Sequence, residues 1–263
     1  MSISNIIIKE IQGLILILTD NLKPDYMNAF WAEFFGTAII IVFGGGVVSN
    51  VVLSKTKGNN SGWIVITFGW AVGVFTGVLI AAPFSGAHLN PAVTLALVIA
   101  HKFSITLLPM YVCAQLLGAM FGALLVWLAY KKHFDATEDA NSKLAVFCTA
   151  PNIRSYWYNV MTEAIGTYIL ALAVLYMAQP EVGLGALNAL PVALVVLGLG
   201  LSLGGPTGYA INPARDLGPR IMHFLLPIPG KRDSDWKYAW VPIVGPLIGA
   251  ALAAAMFIIF KGI

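Results

Sequence analysis

Two short polar stretches interrupt an otherwise apolar chain, and both end in the same three residues. They lie at residues 85–94 and 207–216, and the shared triplets are Asn90-Pro91-Ala92 and Asn212-Pro213-Ala214. No set of nucleophile, base and metal ligands accompanies these triplets, and an asparagine amide both donates and accepts hydrogen bonds. The chemistry that they offer is therefore hydrogen bonding rather than catalysis.

Each triplet also predicts the start of a helix. Asparagine is a preferred N-cap residue, and proline is tolerated at the first helical position because its missing N–H would have no partner there. The apolar stretches that follow cover residues 92–100 and 214–226. Both are too short to cross the hydrocarbon core of a bilayer, which takes about 20 residues. The sequence thus predicts two half-helices that begin at Asn90 and Asn212.

The composition of the chain is that of a membrane protein. Hydrophobic residues make up 59% of the 263 residues and charged residues only 10%, with a mean hydropathy of +0.83. In a soluble domain about a quarter of the residues are charged. The net charge of +3 includes no basic cluster of the kind that binds nucleic acid, so no nucleic-acid partner is expected. Cys113 and Cys148 are expected neither to form a disulfide nor to bind a metal.

Six long apolar runs are predicted to span the membrane. They cover residues 29–52, 64–82, 105–130, 158–178, 187–203 and 240–260. Tryptophans near the ends of these runs, Trp63 among them, are typical of the aromatic belts at a membrane surface. The order is two spans, a half-helix and a third span, and it occurs twice. Because three spans per repeat is an odd number, the repeats are inverted, and their half-helices are expected to meet near the midplane.

The paired triplets within this repeat resemble the aquaporin and glycerol-facilitator family of membrane channels. The longer string Asn212-Pro213-Ala214-Arg215-Asp216, followed by Gly218-Pro219-Arg220, is similar to the aquaglyceroporin branch, with Asp216 and Arg220 as its markers. The resemblance covers residues 27–260. It implies an all-α integral membrane protein with six transmembrane helices and two re-entrant half-helices, assembled as a homotetramer with one pore per subunit. It implies neither a cofactor nor a metal.

The resemblance also implies a narrow constriction in the pore, formed by Trp70, Gly200, Tyr209 and Arg215. Arg215 would donate hydrogen bonds to solute hydroxyls, while Trp70 and Tyr209 would provide apolar walls for the carbon atoms. The absent side chain of Gly200 would leave the opening wide enough for a polyol. Backbone carbonyls along one side of the pore would accept hydrogen bonds from the solute. The residues expected to supply these carbonyls are Gly86, Ala87, His88, Gly208, Tyr209 and Ala210.

Two carboxylates, Glu33 and Glu163, occupy equivalent positions within predicted spans of the two repeats. A bare charge in hydrocarbon is costly, so each needs partners. The resemblance implies a scaffold role, in which they accept hydrogen bonds from backbone N–H groups before the half-helices, and the alternative is a proton relay. His88 has no acid, cysteine or second histidine at ligand spacing and is interpreted as a structural residue that fixes its loop.

These features predict a passive channel for glycerol and other small neutral solutes, together with water. A water-selective channel is the nearest alternative, and Trp70, Gly200 and Asp216 argue against it. A secondary transporter would be expected to show coupling carboxylates or an ion site beyond Glu33 and Glu163. A membrane enzyme would need a catalytic set, and the sequence shows none.

The chain is predicted to consist of a tail, residues 1–26, and an aquaporin-like channel domain, residues 27–263. Apolar residues at near-helical spacing in the tail are compatible with an interfacial helix or with a partly ordered segment. The two repeats are expected at about residues 27–132 and 155–263. The resemblance implies the plasma membrane, or the inner membrane of a bacterium, with cytoplasmic termini. Eleven of the 15 basic residues would then lie outside, against the positive-inside rule.

Overall fold

A computed structural model describes residues 24–177 and 185–262, which form helices with no β-strand among them. The α-helices are α1 (Pro24–Val52), α2 (Trp63–Ser85), α3 (Pro91–Ile99), α4 (Leu108–Ala136), α5 (Ala140–Ala145), α6 (Tyr156–Met177), α7 (Leu190–Thr207), α8 (Pro213–Leu225) and α9 (Val241–Lys261). Short 3₁₀ segments, Ile105–Leu107 and Gly185–Ala189, precede α4 and α7. The interfacial helix considered for the tail falls almost wholly on residues 1–23, outside the described residues.

Six helices of the described chain are long and apolar enough to cross a membrane, which confirms the six predicted spans. They are α1, α2, α4, α6, α7 and α9. Helix α3 has 9 residues and α8 has 13, so both are half-helices as predicted. At 1.5 Å per residue, even the longer of the two reaches only about 20 Å.

The polar segment between the third and fourth spans contains helical structure that the sequence analysis missed. Helix α4 continues beyond residue 130, and Lys131 and Asp135 form an ion pair of 2.5 Å on its added turn. Such i,i+4 pairs support a helix where apolar burial has ended. The short helix α5 follows, and the Asp139 carboxylate caps it by accepting hydrogen bonds from the backbone N–H groups of Asn141 and Ser142.

The spans before the two triplets end in the same way. Helix α7 continues to Thr207, past the predicted end at residue 203, although Pro206 lies inside its last turn. Helix α2 likewise contains Pro83 near its end. Each helix is closed by a glycine in the left-handed region, Gly86 with φ 77° and Gly208 with φ 82°, a conformation in which any side chain is strained. These glycines turn the chain into the polar stretches.

The two repeats interlock through their half-helices. Helix α1 packs against α2 and α4, and α6 packs in the same way against α7 and α9. Half-helix α8, however, also packs against α4 of the first repeat, and α3 packs against α9 of the second. Within each repeat, small residues permit the spanning helices to approach closely. A Cβ atom at Gly77 would lie 2.7 Å from the carbonyl oxygen of Gly36, and one at Gly245 would lie 2.9 Å from that of Val160.

A buried ion pair ties α8 to two neighbouring loops. Arg220 Nη2 lies 2.7 Å from Asp216 Oδ1, and both side chains are buried. Asp216 Oδ2 accepts hydrogen bonds of 2.7 Å from the backbone N–H and the hydroxyl of Thr149. Arg220 in turn donates to the backbone carbonyls of Thr149, Ser234 and Asp235. The two residues that marked the branch in the sequence therefore hold α8 and both loops together.

A second ion pair connects the same two loops. Arg154 Nη1 donates to Asp235 Oδ1 at 2.8 Å, and the guanidinium lies 5.1 Å from the centre of the Tyr238 ring. The Arg154 guanidinium lowers the pKa of the Asp235 carboxyl below its usual value. Because the folded pKa is depressed, the stabilisation is present above the unfolded pKa and is lost as pH falls through the folded one. The Arg154–Asp235 ion pair is therefore intact at neutral pH.

Candidate functional site

A cavity of about 660 Å³ lies in the interior, and its lining has two parts that differ in chemistry. One part consists of the polar stretches and half-helix starts, residues 86–90 and 209–212 together with Arg215. A second set of lining residues is aliphatic and comes from the membrane-spanning helices: Ile40, Val74, Val78, Leu170, Val174, Val192 and Val196. No carboxylate lines the cavity in the described part of the chain, whereas Lys102 and Arg215 both do. The passage is thus amphipathic and positively charged.

The polar stretches adopt an unusual backbone that is the same in both repeats. Ala87 and Leu89 have φ 52°, and the matching residues Tyr209 and Ile211 have φ 38° and 44°. Non-glycine residues in this left-handed region cost on the order of 1–3 kcal/mol each and persist only where their surroundings hold them. Because four residues at matching positions keep this costly conformation, the surrounding structure must hold both stretches in it.

Glu33 holds the first stretch. Its Oε1 accepts hydrogen bonds from the Ser85 hydroxyl at 2.7 Å and from the His88 N–H at 2.9 Å. Its Oε2 accepts from the Leu89 N–H and from the Gln115 side-chain amide, both at 2.7 Å. The side chain is fully buried, and these four donors compensate its charge.

Glu163 holds the second stretch in the same manner. Its Oε1 accepts from the Thr207 hydroxyl at 2.6 Å and from the Ala210 N–H at 3.0 Å, and its Oε2 accepts from the Ile211 N–H at 2.8 Å. Both carboxylates therefore occupy the positions that a scaffold role requires. Neither lines the cavity, and a proton relay would need a continuous chain of titratable groups along it.

Replacing Glu163 by glutamine is expected to destabilise the fold by about 1–3 kcal/mol, because an NH₂ group would then face a backbone N–H. The yield of folded protein and the midpoint of thermal unfolding in detergent should fall, while flux per folded channel should change less. Glu138→Gln is a matched control, because Glu138 is exposed in a loop. Solute flux that proved proton-coupled, with the coupling lost in Glu163→Gln, would contradict the scaffold role.

Backbone carbonyls of both stretches are available to a solute. Within the described chain, no donor bonds the carbonyls predicted to line the pore, those of Gly86, Ala87, His88, Gly208, Tyr209 and Ala210. Five of these six residues line the cavity, and Gly208, whose Cβ position lies against Thr149, does not. Since buried carbonyls are normally paired, unpaired ones along a cavity offer acceptors to whatever passes through it.

Asn90 and Asn212 tie the two half-helices together at the middle of the cavity. Each side-chain oxygen caps its own helix, with Asn90 Oδ1 accepting from the Ala92 N–H at 2.8 Å and Asn212 Oδ1 from the Ala214 N–H at 3.0 Å. Each Nδ2 donates at 2.8 Å to the opposite stretch, Asn90 to the Ile211 carbonyl and Asn212 to the Leu89 carbonyl. A second amide hydrogen on each side chain remains for a solute, because both asparagines line the cavity.

Arg215 and Trp70 are in direct contact in the cavity lining. The guanidinium carbon of Arg215 lies 4.1 Å from the centre of the Trp70 ring, a cation–π contact. Although only 8% of the Arg215 side chain is exposed, it forms neither an ion pair nor a side-chain hydrogen bond within the described residues. Its N–H donors are therefore uncommitted, as expected for a group that binds solute.

Gly200 does not leave open space in the passage, which corrects the prediction from the sequence. A Cβ atom at this position would lie 2.8 Å from Tyr209 Cζ and 2.8 Å from Thr67 Cγ2. The volume freed by the missing side chain is therefore filled by the Tyr209 ring, and Gly200 itself does not line the cavity. The missing side chain at Gly200 lets the Tyr209 ring lie against α7.

His88 is held as a structural residue would be. Its Nδ1 lies 3.2 Å from the Thr94 hydroxyl, and its ring packs against Phe103 and Tyr111 with centroid distances of 4.6 and 4.8 Å. Thr94 in turn accepts a hydrogen bond from Gln115. Sequence reasoning missed Gln115, whose position inside an apolar span is the signal that could have identified it.

The chain was compared with known proteins. The family model described as major intrinsic protein matches residues 21–257. The chain is 54% identical over 231 residues to the probable glycerol uptake facilitator protein of Thermotoga maritima, covering 88% of this chain and 98% of that protein. It is 49% identical over 234 residues to the glycerol uptake facilitator protein of Streptococcus pneumoniae (strain R6), covering 89% of this chain and all of that protein.

A solved structure is similar over most of the chain. The X-ray structure of the aquaglyceroporin from Plasmodium falciparum aligns with a TM-score of 0.78 at 31% sequence identity. The alignment covers 88% of this chain and 95% of that one.

Proposed function

Because the chain belongs to the major intrinsic protein family, a family of multi-pass membrane channels, we propose that it conducts glycerol and other small neutral solutes, together with water, passively across the membrane. The family is one of channels rather than enzymes. The relatives named as glycerol uptake facilitators and the aquaglyceroporin structure support glycerol as the solute.

The single observation that carries the proposal is the cavity lined by both polar groups and aliphatic side chains. A polyol in an extended conformation can turn its hydroxyls to one side and its C–H groups to the other. The unpaired carbonyls and the Arg215 donors match the hydroxyl side, and the aliphatic side chains match the carbon side. Water lost from the solute on entry is thereby replaced by protein acceptors.

The same cavity disfavours cations. Two helix N-termini point toward its middle, and Arg215 and Lys102 add positive charge without a carboxylate in the described lining. Neutral solutes do not experience this barrier. We therefore propose conduction of neutral molecules with exclusion of ions and protons.

Reswelling of proteoliposomes tests the proposal. Vesicles with the purified protein should shrink in an impermeant sugar faster than empty vesicles, and after a glycerol step they should reswell rapidly, with urea as a further solute. The rates should not depend on a proton or sodium gradient. Glycerol reswelling no faster than in empty vesicles, with fast water flux, would indicate the water-selective alternative, and gradient-dependent flux would indicate a transporter.

The proposal extends to assembly and location. The channel is a homotetramer with one pore per subunit, in the plasma membrane or the inner membrane of a bacterium, with both termini cytoplasmic. Repeats at about residues 27–132 and 155–263 form one channel domain, a division supported by the matching packing of α1 and α6. Mass measurement in detergent, corrected for the detergent, tests the tetramer, and accessibility of a cysteine introduced near residue 260 tests the orientation.

A further inference from the structure

Trp63 begins α2 seven positions before Trp70, so both side chains lie on the same helical face. The position of Trp63 near the end of a predicted span is typical of a tryptophan at the membrane surface, and 41% of this residue is exposed. The remainder of the side chain reaches inward, however, to the residues of the constriction. Its indole N–H donates to the Gly200 carbonyl at 2.9 Å.

The Trp63 ring also packs against Tyr209. The two ring centres are 5.9 Å apart and the planes meet at 75°, an edge-to-face contact. A Cβ atom at Gly204 would lie 2.6 Å from Trp63 Cζ2 and 2.7 Å from Tyr209 Cδ1. Gly200 and Gly204 are one helical turn apart, so the Tyr209 ring lies along both glycines, with Trp63 at its edge.

Packing alone holds this ring. Only 5% of Tyr209 is exposed, and its hydroxyl has no hydrogen-bond partner in the described part of the chain. Its backbone is in the left-handed region, with φ 38°. A side chain without a hydrogen bond of its own is held in place by the residues packed around it. Among these neighbours, Trp63 also donates a hydrogen bond to the Gly200 carbonyl of α7.

We propose that Trp63 is a positioning residue that sets the width of the constriction by confining Tyr209 against Gly200 and Gly204. It does not line the cavity and need not touch the solute. The inference rests on the proposed function, because its readout is a ratio of solute fluxes. Glycerol flux of the unmodified protein tests the function, and the change of the ratio in a variant tests Trp63.

The test measures erythritol and glycerol fluxes of Trp63→Phe and Trp63→Ala in proteoliposomes. Phenylalanine keeps a ring and removes the donor to Gly200, and alanine removes both contacts. The erythritol-to-glycerol ratio should rise by about threefold in Trp63→Phe, because the Tyr209 ring can then move toward the space that Trp63 vacates, away from the cavity. The size of the change follows from the loss of one hydrogen bond, which corresponds to roughly a two- to tenfold change in an equilibrium. It should rise further in Trp63→Ala, and Trp63→Phe alone decides the matter if Trp63→Ala does not assemble.

Two further variants separate positioning from a general effect on the fold. Trp127→Phe removes a tryptophan of α4 whose buried N–H has no partner within the described residues, and the ratio should stay unchanged. In a Tyr209→Ala background, Trp63→Phe should no longer alter the ratio, because the ring that it confines is absent. An unchanged ratio in folded Trp63→Phe, or an equal effect with and without Tyr209, would overturn the inference.

Discussion

Gly200→His should reduce glycerol flux by about 100-fold and water flux much less, because rejection of a solute by one or a few extra atoms in a fitted pocket reaches roughly 10–200-fold. A side chain here cannot enter empty space. Its Cβ atom alone would lie 2.8 Å from both Tyr209 Cζ and Thr67 Cγ2. The Tyr209 ring would have to move away from α7 and into the passage, where it blocks a three-carbon chain before it blocks water.

A matched pair of alanine variants isolates this effect. Gly198 lies on the same helix with nothing within 4 Å of its Cβ position, so Gly198→Ala should leave the glycerol-to-water ratio unchanged. Gly200→Ala should lower it in the same direction as histidine, and a second change, Tyr209→Ala, should restore glycerol flux. The measurement is paired stopped-flow light scattering, with one osmotic step in an impermeant sugar and one in glycerol. Equal losses of both fluxes in Gly200→His would contradict the account.

Arg215→Val should make the pore leak cations and pass larger solutes. At about 8 Å and an effective dielectric constant of about 20, a unit positive charge raises the energy of a passing cation by roughly 2 kcal/mol, or about thirtyfold in occupancy. No carboxylate belongs to the described cavity lining, so removal of the Arg215 charge should lower this barrier to cations. The smaller side chain also frees the face of Trp70, which now lies 4.1 Å from the guanidinium.

Arg215→Lys separates charge from shape. Lysine keeps the positive charge but lacks the planar fork of donors, so cation exclusion should persist while the ranking of glycerol, urea and erythritol changes. Ion conductance in planar bilayers and reswelling of vesicles provide the two readouts. A folded Arg215→Val protein with unchanged ion conductance and unchanged solute ranking would show that selectivity is set elsewhere.

Most of the fold was predictable because its signals are local. The length of an apolar run determines whether it can cross the bilayer, and the cap at Asn90 or Asn212 depends on neighbouring residues and a following proline. The errors in predicting the ends of helices also arose from local signals. Charged residues at the end of α4 and the proline in α7 interrupt an apolar pattern without ending a helix, because one added turn can be supported by an ion pair or closed by a glycine.

The functional site contains features that the sequence predicted and features that only the tertiary structure revealed. The sequence by itself determined the repeat, the two asparagine caps and the equivalent carboxylates Glu33 and Glu163. The pairing of Trp70 with Arg215 was implied by the family resemblance. The tertiary structure alone decided that Tyr209 fills the volume at Gly200 and that Trp63 bonds the Gly200 carbonyl, a contact between residues 137 positions apart. The physical reason is that a cap or a span depends on residues adjacent in the chain, whereas the occupant of a void depends on which distant side chains the packed helices bring to it.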